Sequence, residues 1–450
     1  MNTRQVLMPA IAIAAAVNVL MHDWLYSSLY FFTAPPWQVG LMAVAPAICT
    51  AAALLTLDRI LPKWPWERVV DGLTLLVLAF FAYNTCKQQG LLEGQLNWPA
   101  KLALALGTVF LAGSMPWRLP GAVLVRLRLA IIVFGVLFLA GPAIFARLQS
   151  GNNLKLGRYW EDTQTVDAPP TVVLVLDELS AQGAAPIVQR LVGLGQAVTA
   201  TSIRSSGSHT ISAIPALLTG VAFEEARACS PWALCATSGL FDFSRQVVTR
   251  PGVNIVGFFH PYCAMTGLAY CRQHAVNGFP NILVGYGCNL LAIVAGGRRF
   301  ETCERALRPF AVATQVRQAI REDAMAAPFW RDGGTLYVHT MLPHPPGADG
   351  GHSLATDYAA NIELAADLAA DLARKLEARF GARFRFVITS DHPLRPQIWC
   401  GPLRYSEPDC QTNARYLSKE VPLITVGAFG PDLKGLASNL ELLDRLASSP

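Results

Sequence analysis

Apolar residues follow two rhythms along this chain. Before residue 150 they form long, nearly unbroken stretches at about 6–25, 39–57, 69–83, 100–115 and 123–146. A bilayer crossing takes about 20 apolar residues, so the pattern predicts five transmembrane helices, the third and fourth being the shortest. From residue 171 onward the rhythm changes to short β-branched runs alternating with helical spacing. The runs 171–176, 254–259, 335–338, 385–389 and 422–426 predict strands. Such alternation predicts a mainly parallel sheet covered on both faces. Between the third and fourth runs, Leu364, Leu368, Leu372 and Leu376 recur at helical spacing and predict a covering helix over 357–380. The expected organisation is a membrane domain at 1–148, a polar, proline-containing linker or juxtamembrane helix at 149–170, and a globular α/β domain at 171–450.

Composition agrees with this division. The 450 residues are 52% hydrophobic and 15% charged, with mean hydropathy +0.35, whereas soluble domains carry roughly a quarter of their residues charged. A net charge of +5, with no basic run interleaved with aromatics, gives no sign of nucleic-acid binding. Loop charges orient the helices. Arg4, then Arg59, Lys63 and Arg68, then Arg118, Arg126 and Arg128 share one side of a five-span arrangement. Lys87 and Lys101 share the other with Asp23 and Glu93. Positive residues stay inside, which predicts a cytoplasmic N-terminus and residues after 146 outside the cytoplasm.

Cysteines give a second, independent reading. Cys49 and Cys86 lie in or beside the apolar stretches. Cys229, Cys235, Cys263, Cys271, Cys288, Cys303, Cys400 and Cys410 all fall in the proposed external domain. Close sequential pairs suggest four local disulfides and an oxidising compartment, although eight cysteines allow 105 connectivities.

The candidate chemistry lies at strand ends. Asp177-Glu178 closes the 171–176 run, and Ser390-Asp391-His392 follows 385–389. In open α/β sheets, ligands gather at the carboxyl ends of strands, and acids with an imidazole there form a candidate metal site. Solvated turns after each strand are the alternative. Thr210 heads an apolar segment, Ile211 to Gly220, that reads as a short helix. A hydroxyl there is either a helix cap or a nucleophile facing a phosphoryl group held at the helix N-terminus.

Together these segments resemble the alkaline phosphatase superfamily in its sulfatase-like branch, and within it the membrane-anchored phosphoethanolamine transferases and lipoteichoic acid synthases. Those proteins have five N-terminal spans followed by an extracytoplasmic α/β/α catalytic domain with a mainly parallel sheet. Their nucleophilic threonine lies five residues before a proline, as Thr210 does before Pro215. The resemblance implies that Asp177, Glu178, Thr210, Asp391 and His392 hold a divalent metal, zinc being favoured over manganese, and that Thr210 becomes phosphorylated. It also places His344, in the Leu342-Pro343-His344-Pro345 segment, against the transferred phosphate or a second metal. His339 reads as structural, His260 as a pocket-rim candidate, and His209, adjacent to Thr210, either as a group supporting the site or as merely exposed.

Two departures bear on the expectation. No histidine follows His392, where the transferases usually have one, so Arg395 or Arg404 becomes the candidate phosphate contact. The arylsulfatase signature around a Cys or Ser nucleophile is absent. The expected function is transfer of a phospholipid head group, phosphoethanolamine foremost, through phospho-Thr210 to lipid A or a cell-envelope glycan. The setting would be a bacterial inner membrane with the catalytic domain in the periplasm. The alternatives are a phosphodiesterase or sulfatase-like hydrolase on the same residues, and a degenerate, non-catalytic binding domain.

Overall fold

A computed structural model describes residues 3–21, 30, 36–61, 64–88, 98–148, 153–161, 168–275, 279–294, 303, 313–345, 353–400, 405–406, 408–410, 416–427, 433 and 435–448. The chain falls into two compact units. One comprises Met1–Leu29 and Pro35–Arg147, the other Tyr30–Ala34 and Leu148–Pro450.

The first unit is helical over Thr3–Leu20, Pro36–Ile60, Trp66–Gln88, Trp98–Arg118 and Gly121–Leu148. Each predicted stretch therefore coincides with a helix, the first ending at Leu20 rather than at residue 25. Five crossings were expected. Among the described residues, two helices are long and apolar enough to cross a membrane, over Ala43–Ile60 and Gly121–Phe138. Trp66–Gln88 is diluted by Glu67, Arg68, Asp71 and Lys87, and the first helix offers only the shorter apolar stretch Gln5–Leu20. Large apolar side chains nevertheless point outward on these helices, including Phe110, Leu111, Val136 and Leu137, each about 60% exposed or more. Inside the unit, the Arg128 guanidinium donates from Nε and Nη2 to the two oxygens of Asp71 at 2.7 and 2.6 Å.

The second unit is built on strands β1 (Thr171–Asp177), β2 (Val198–Arg204), β3 (Arg227–Ala228), β4 (Ala233–Ala236), β5 (Gly239–Asp242), β6 (Val253–Phe258), β7 (Tyr270–His274), β8 (Thr335–Pro343), β9 (Arg385–Ser390) and β10 (Glu420–Gly427). Seven make one sheet in the order β2-β10-β9-β1-β8-β6-β7, and β3-β4-β5 make a small antiparallel one. In the large sheet β10 runs antiparallel to both of its neighbours, and the other pairings are parallel. This is the mainly parallel α/β sheet that the sequence predicts. The two edge strands escaped the reading because β2 is mostly exposed and β7 half-buried, so neither carries an apolar run.

Alternation along β1 divides the core. Val172, Leu174 and Leu176 pack with the helices Ala185–Gly193, Ala313–Ala326 and Leu354–Phe380. Val173 and Val175 pack on the other face with Thr210–Thr219 and Leu442–Ser448. Successive strand residues face opposite ways, so a strand covered on both sides reads as one unbroken apolar run. The long helix starts where the Ser353 side chain caps the Thr356 amide, and there Leu368, Leu372 and Leu376 are buried while Leu364 is 44% exposed. Leucines four apart advance by 400°, a drift of about 40° per step at 3.6 residues per turn, so the stripe rotates off the buried face.

The stretch 153–161 of the expected linker belongs to this core. Leu156, Tyr159 and Trp160 are buried, and Tyr159 and Thr335 share a hydroxyl–hydroxyl bond of 2.9 Å. Disulfides join Cys229–Cys235, Cys263–Cys271, Cys288–Cys303 and Cys400–Cys410, the sequential pairing.

Candidate functional site

Three strand ends and one helix start converge. Asp177 ends β1, Asp391 and His392 follow β9, and His344 follows β8. Because Leu176 pairs with Ser390, the next residues, Asp177 and Asp391, emerge side by side. A register shift after Leu176 sets Asp177 opposite Pro343, which brings His344 to the same edge. Its Nε2 lies 4.0 Å from Asp177 Oδ2.

Thr210 is the first residue of the helix that contains Pro215 and that Gly220 ends in a left-handed turn (φ 71°), a conformation glycine adopts without steric cost. Ahead of it the chain crosses the helix closely enough that a Cβ on Gly207 would stand 2.7 Å from the Ala213 amide nitrogen. The cap position is held by His209, whose side chain caps nothing and instead bonds Ser208. Of the two readings of the Thr210 hydroxyl, the cap is therefore not realised. The hydroxyl is buried, with Oγ1 3.1 Å from His392 Nε2 and 3.3 Å from Asp177 Oδ1.

Hydrogen bonding defines what the cluster offers. Asp391 Oδ1 accepts from the amides of Glu178 and His392 at 3.2 and 2.7 Å. Its Oδ2 is buried with no hydrogen-bond partner, a costly state for a carboxylate oxygen. His392 Nδ1 is 3.0 Å from the Pro393 carbonyl. That oxygen can only accept, so Nδ1 carries a hydrogen and Nε2 is the ring nitrogen turned to the acids. Histidines that bind metals are commonly oriented in this way. Nε2 lies 3.6 Å from Asp177 Oδ1 and 3.4 Å from Asp391 Oδ2. Burial, then the Asp391 and Glu178 charges, hold the Asp177 carboxyl well above the usual carboxylate range. Asp177, Asp391 and His392 present ligand atoms within 4.8 Å of one another, so two acids, an imidazole and an unpartnered oxygen suit a divalent cation.

The structure turns Glu178 and Arg395 to each other instead of to the expected metal and phosphate. Glu178 is fully buried with φ 66°, a left-handed backbone unusual outside glycine that aims its side chain away from that of Asp177. Arg395 donates to Glu178 Oε1 from Nε at 3.0 Å and Nη2 at 2.8 Å, and Trp399 Nε1 donates to Oε2 at 2.7 Å. The Arg395 Nη1 donor alone is buried without a partner. Arg404 lies outside the described residues.

Four residues support the cluster, none of them assigned a role from the sequence. Arg317 donates to Asn361 Oδ1 and, at 2.6 Å, to the His344 carbonyl, and burial lowers its pKa to about 10. Trp399 meets the His344 ring edge-on at 4.6 Å. Asn439 donates to the Ser390 carbonyl at 2.7 Å, and Ser390 Oγ bonds the Leu176 carbonyl at 2.8 Å. A basic residue on the buried face of a covering helix was the one clue available, for Arg317. His339 is buried and bonded to the Tyr262 hydroxyl at 2.8 Å, in keeping with a structural reading. His260, expected at the pocket rim, is fully buried.

No protein-family model matches the chain, and no curated protein matches it. Among solved structures, it is similar to the integral membrane protein lipooligosaccharide phosphoethanolamine transferase A of Neisseria meningitidis. The two are 12% identical with a TM-score of 0.38, over 96% of this chain and 94% of that one. It is also similar to the C-terminal periplasmic domain of phosphoethanolamine transferase EptC from Campylobacter jejuni, at 11% identity and a TM-score of 0.35, over 61% and 87% of the two chains. A protein in the alkaline phosphatase superfamily from Vibrio parahaemolyticus is similar at 11% identity and a TM-score of 0.34, over 66% and 69%. Likenesses this distant leave the chemistry to be read from the residues themselves.

Proposed function

We propose that this chain is a membrane-anchored, metal-dependent phosphotransferase of the alkaline phosphatase superfamily. In this reading it moves a phospholipid head group, phosphoethanolamine foremost, through phospho-Thr210 to lipid A or another envelope glycan. The observation that carries the reading is the Thr210 hydroxyl, buried and 3.1 Å from His392 Nε2, beside the unpartnered Asp391 Oδ2. A hydroxyl serving only as a helix cap would face the helix amides.

Asp177, Asp391 and His392 would hold the cation, zinc before manganese, with Thr210 beside them. Bound there, a divalent cation lowers the pKa of an adjacent hydroxyl and offsets charge that develops on phosphoryl oxygens. The Oγ1–phosphorus bond forms as the bond from phosphorus to the lipid glycerol oxygen breaks. The proton that Oγ1 gives up, with Asp177 Oδ1 within reach at 3.3 Å, leaves with diacylglycerol. An acceptor hydroxyl or phosphate oxygen then takes the head group, and Thr210 regains a proton. His344 and the spare Arg395 Nη1 are the groups available to orient the phosphoryl oxygens.

A multi-pass inner-membrane location with a periplasmic catalytic domain fits the five helices, their outward apolar side chains and the four disulfides. The decisive experiment incubates the purified full chain with head-group-labelled phosphatidylethanolamine and a lipid A acceptor, then seeks a Thr210 adduct by mass spectrometry. Label on Thr210 and on the acceptor supports transfer. Label only in soluble head group would make the protein a hydrolase. Absence of both adduct and bound metal would leave a non-catalytic domain.

A further inference from the structure

Tyr30 stands in the sequence between the helices Thr3–Leu20 and Pro36–Ile60, yet it packs with the α/β unit. It is fully buried there, and its hydroxyl lies 2.7 Å from His260 Nδ1. The other ring nitrogen, Nε2, is 3.1 Å from the carbonyl oxygen of Thr210. A carbonyl only accepts, so Nε2 carries the hydrogen, Nδ1 holds the lone pair, and the Tyr30 hydroxyl donates. Both ends of the imidazole are thus engaged and its tautomer is determined.

The ring has little freedom. Phe243 stacks on it at 5.6 Å and 23°, and Tyr30 and Tyr262 stand edge-on, each with its centroid 5.8 Å away. Phe259, directly before His260, has φ 67°, and a bulky residue held in that region marks a backbone that its surroundings over-determine. Helix geometry alone does not explain a buried imidazole bonded to the first carbonyl of the Thr210 helix.

We propose that Tyr30 is a positioning residue. Acting through His260, it fixes the peptide of Thr210 so that Oγ1 stays between Asp177 and His392. A residue from the N-terminal part of the chain is then required for a competent site in the α/β unit, and a form in which residue 30 is undocked has a misplaced nucleophile. The functional consequence rests on Thr210 being the nucleophile; the hydrogen-bond relay does not.

The test uses the full chain in detergent with zinc and bis(p-nitrophenyl) phosphate as the probe diester. For Tyr30→Phe we expect a folded chain with a modestly lower melting temperature, since His260 Nδ1 is left buried without its donor, an unchanged KM, and a kcat lower by roughly tenfold to a hundredfold, the scale of a small misplacement of a reacting group. His260→Gln keeps a donor for the Thr210 carbonyl without needing Tyr30, so adding Tyr30→Phe to it should cost nothing further. Additive losses, or a Tyr30→Phe enzyme with wild-type kcat, would overturn the proposal. Ring nitrogen-15 NMR gives a readout independent of turnover. The wild type should show His260 protonated on Nε2, with an Nδ1 signal that moves in Tyr30→Phe; an unmoved signal also refutes the relay. If the wild type cleaves no diester, the functional reading fails while the NMR result still decides this inference.

Discussion

At the residue scale, the orphaned oxygen of Asp391 is the most consequential atom in the molecule. Its partner oxygen is satisfied by two backbone amides, so replacement by Asn preserves shape while removing charge where a cation would sit. Asp391→Asn should therefore fold and lose metal. A ligand present at 100 times its dissociation constant stabilises the folded state by about 2.7 kcal/mol. Chelator should accordingly lower the melting temperature of the wild type and leave the variant unmoved. Elemental analysis showing full zinc content in Asp391→Asn would refute the ligand assignment. A second single-residue effect concerns His339, whose pKa is lowered to about 3, first by burial. The folded protein then binds this proton more weakly than the unfolded chain does, whose value is near 6.5. Stability from this group is complete above pH 6.5 and declines as pH falls from there toward 3. The slope is about 1.4 kcal/mol per pH unit for one proton. Melting curves between pH 8 and 5 should show that loss, and His339→Gln should flatten it by one proton's worth. Equal slopes in the two proteins would refute this account.

At the scale of elements, the legible part of the chain was whatever a periodic pattern or a strand end announces. Five strands, the long covering helix and the residues Asp177, Thr210, Asp391 and His392 could be found because each adjoins an apolar run. Pairing across the sheet was not legible. The fate of Glu178 depends on a left-handed backbone angle and on Arg395 and Trp399, which lie 217 and 221 residues away. The Tyr30–His260 bond spans 230 residues and leaves no local trace. The helices of the first unit add a contact that sequence spacing also conceals. A Cβ on Gly135 would stand 2.8 Å from the Ala15 Cβ, so the last long helix approaches the first through small residues, as helices do where packing rather than hydrophobic exclusion drives association. Gly135→Leu should separate this pair and lower the melting temperature of the detergent-solubilised chain, whereas Gly113→Leu, where nothing lies within 4 Å, should be tolerated. Equal effects of the two substitutions would show that the close approach carries no weight.

At the scale of the whole molecule, the two units make different demands on their surroundings. Four disulfides in the α/β unit call for an oxidising compartment. Outward apolar side chains on the first unit's helices call for a solvent other than water. Among the described residues, length and apolarity alone identify two crossing helices, whereas loop charge is consistent with five, since only an odd number of crossings puts a cytoplasmic Arg4 and external disulfides on opposite sides. The disagreement is testable at two loop positions. In a Cys49→Ser, Cys86→Ser background, the remaining cysteines are consumed by disulfides, so one added cysteine reports its own side. Glu93→Cys should react with a membrane-impermeant maleimide in spheroplasts, and Lys63→Cys should react only after lysis. Labelling of Lys63→Cys from outside would overturn the five-crossing topology. It would also remove the reason to place a lipid donor beside Thr210, because the α/β unit's side of the membrane follows from the same count of crossings.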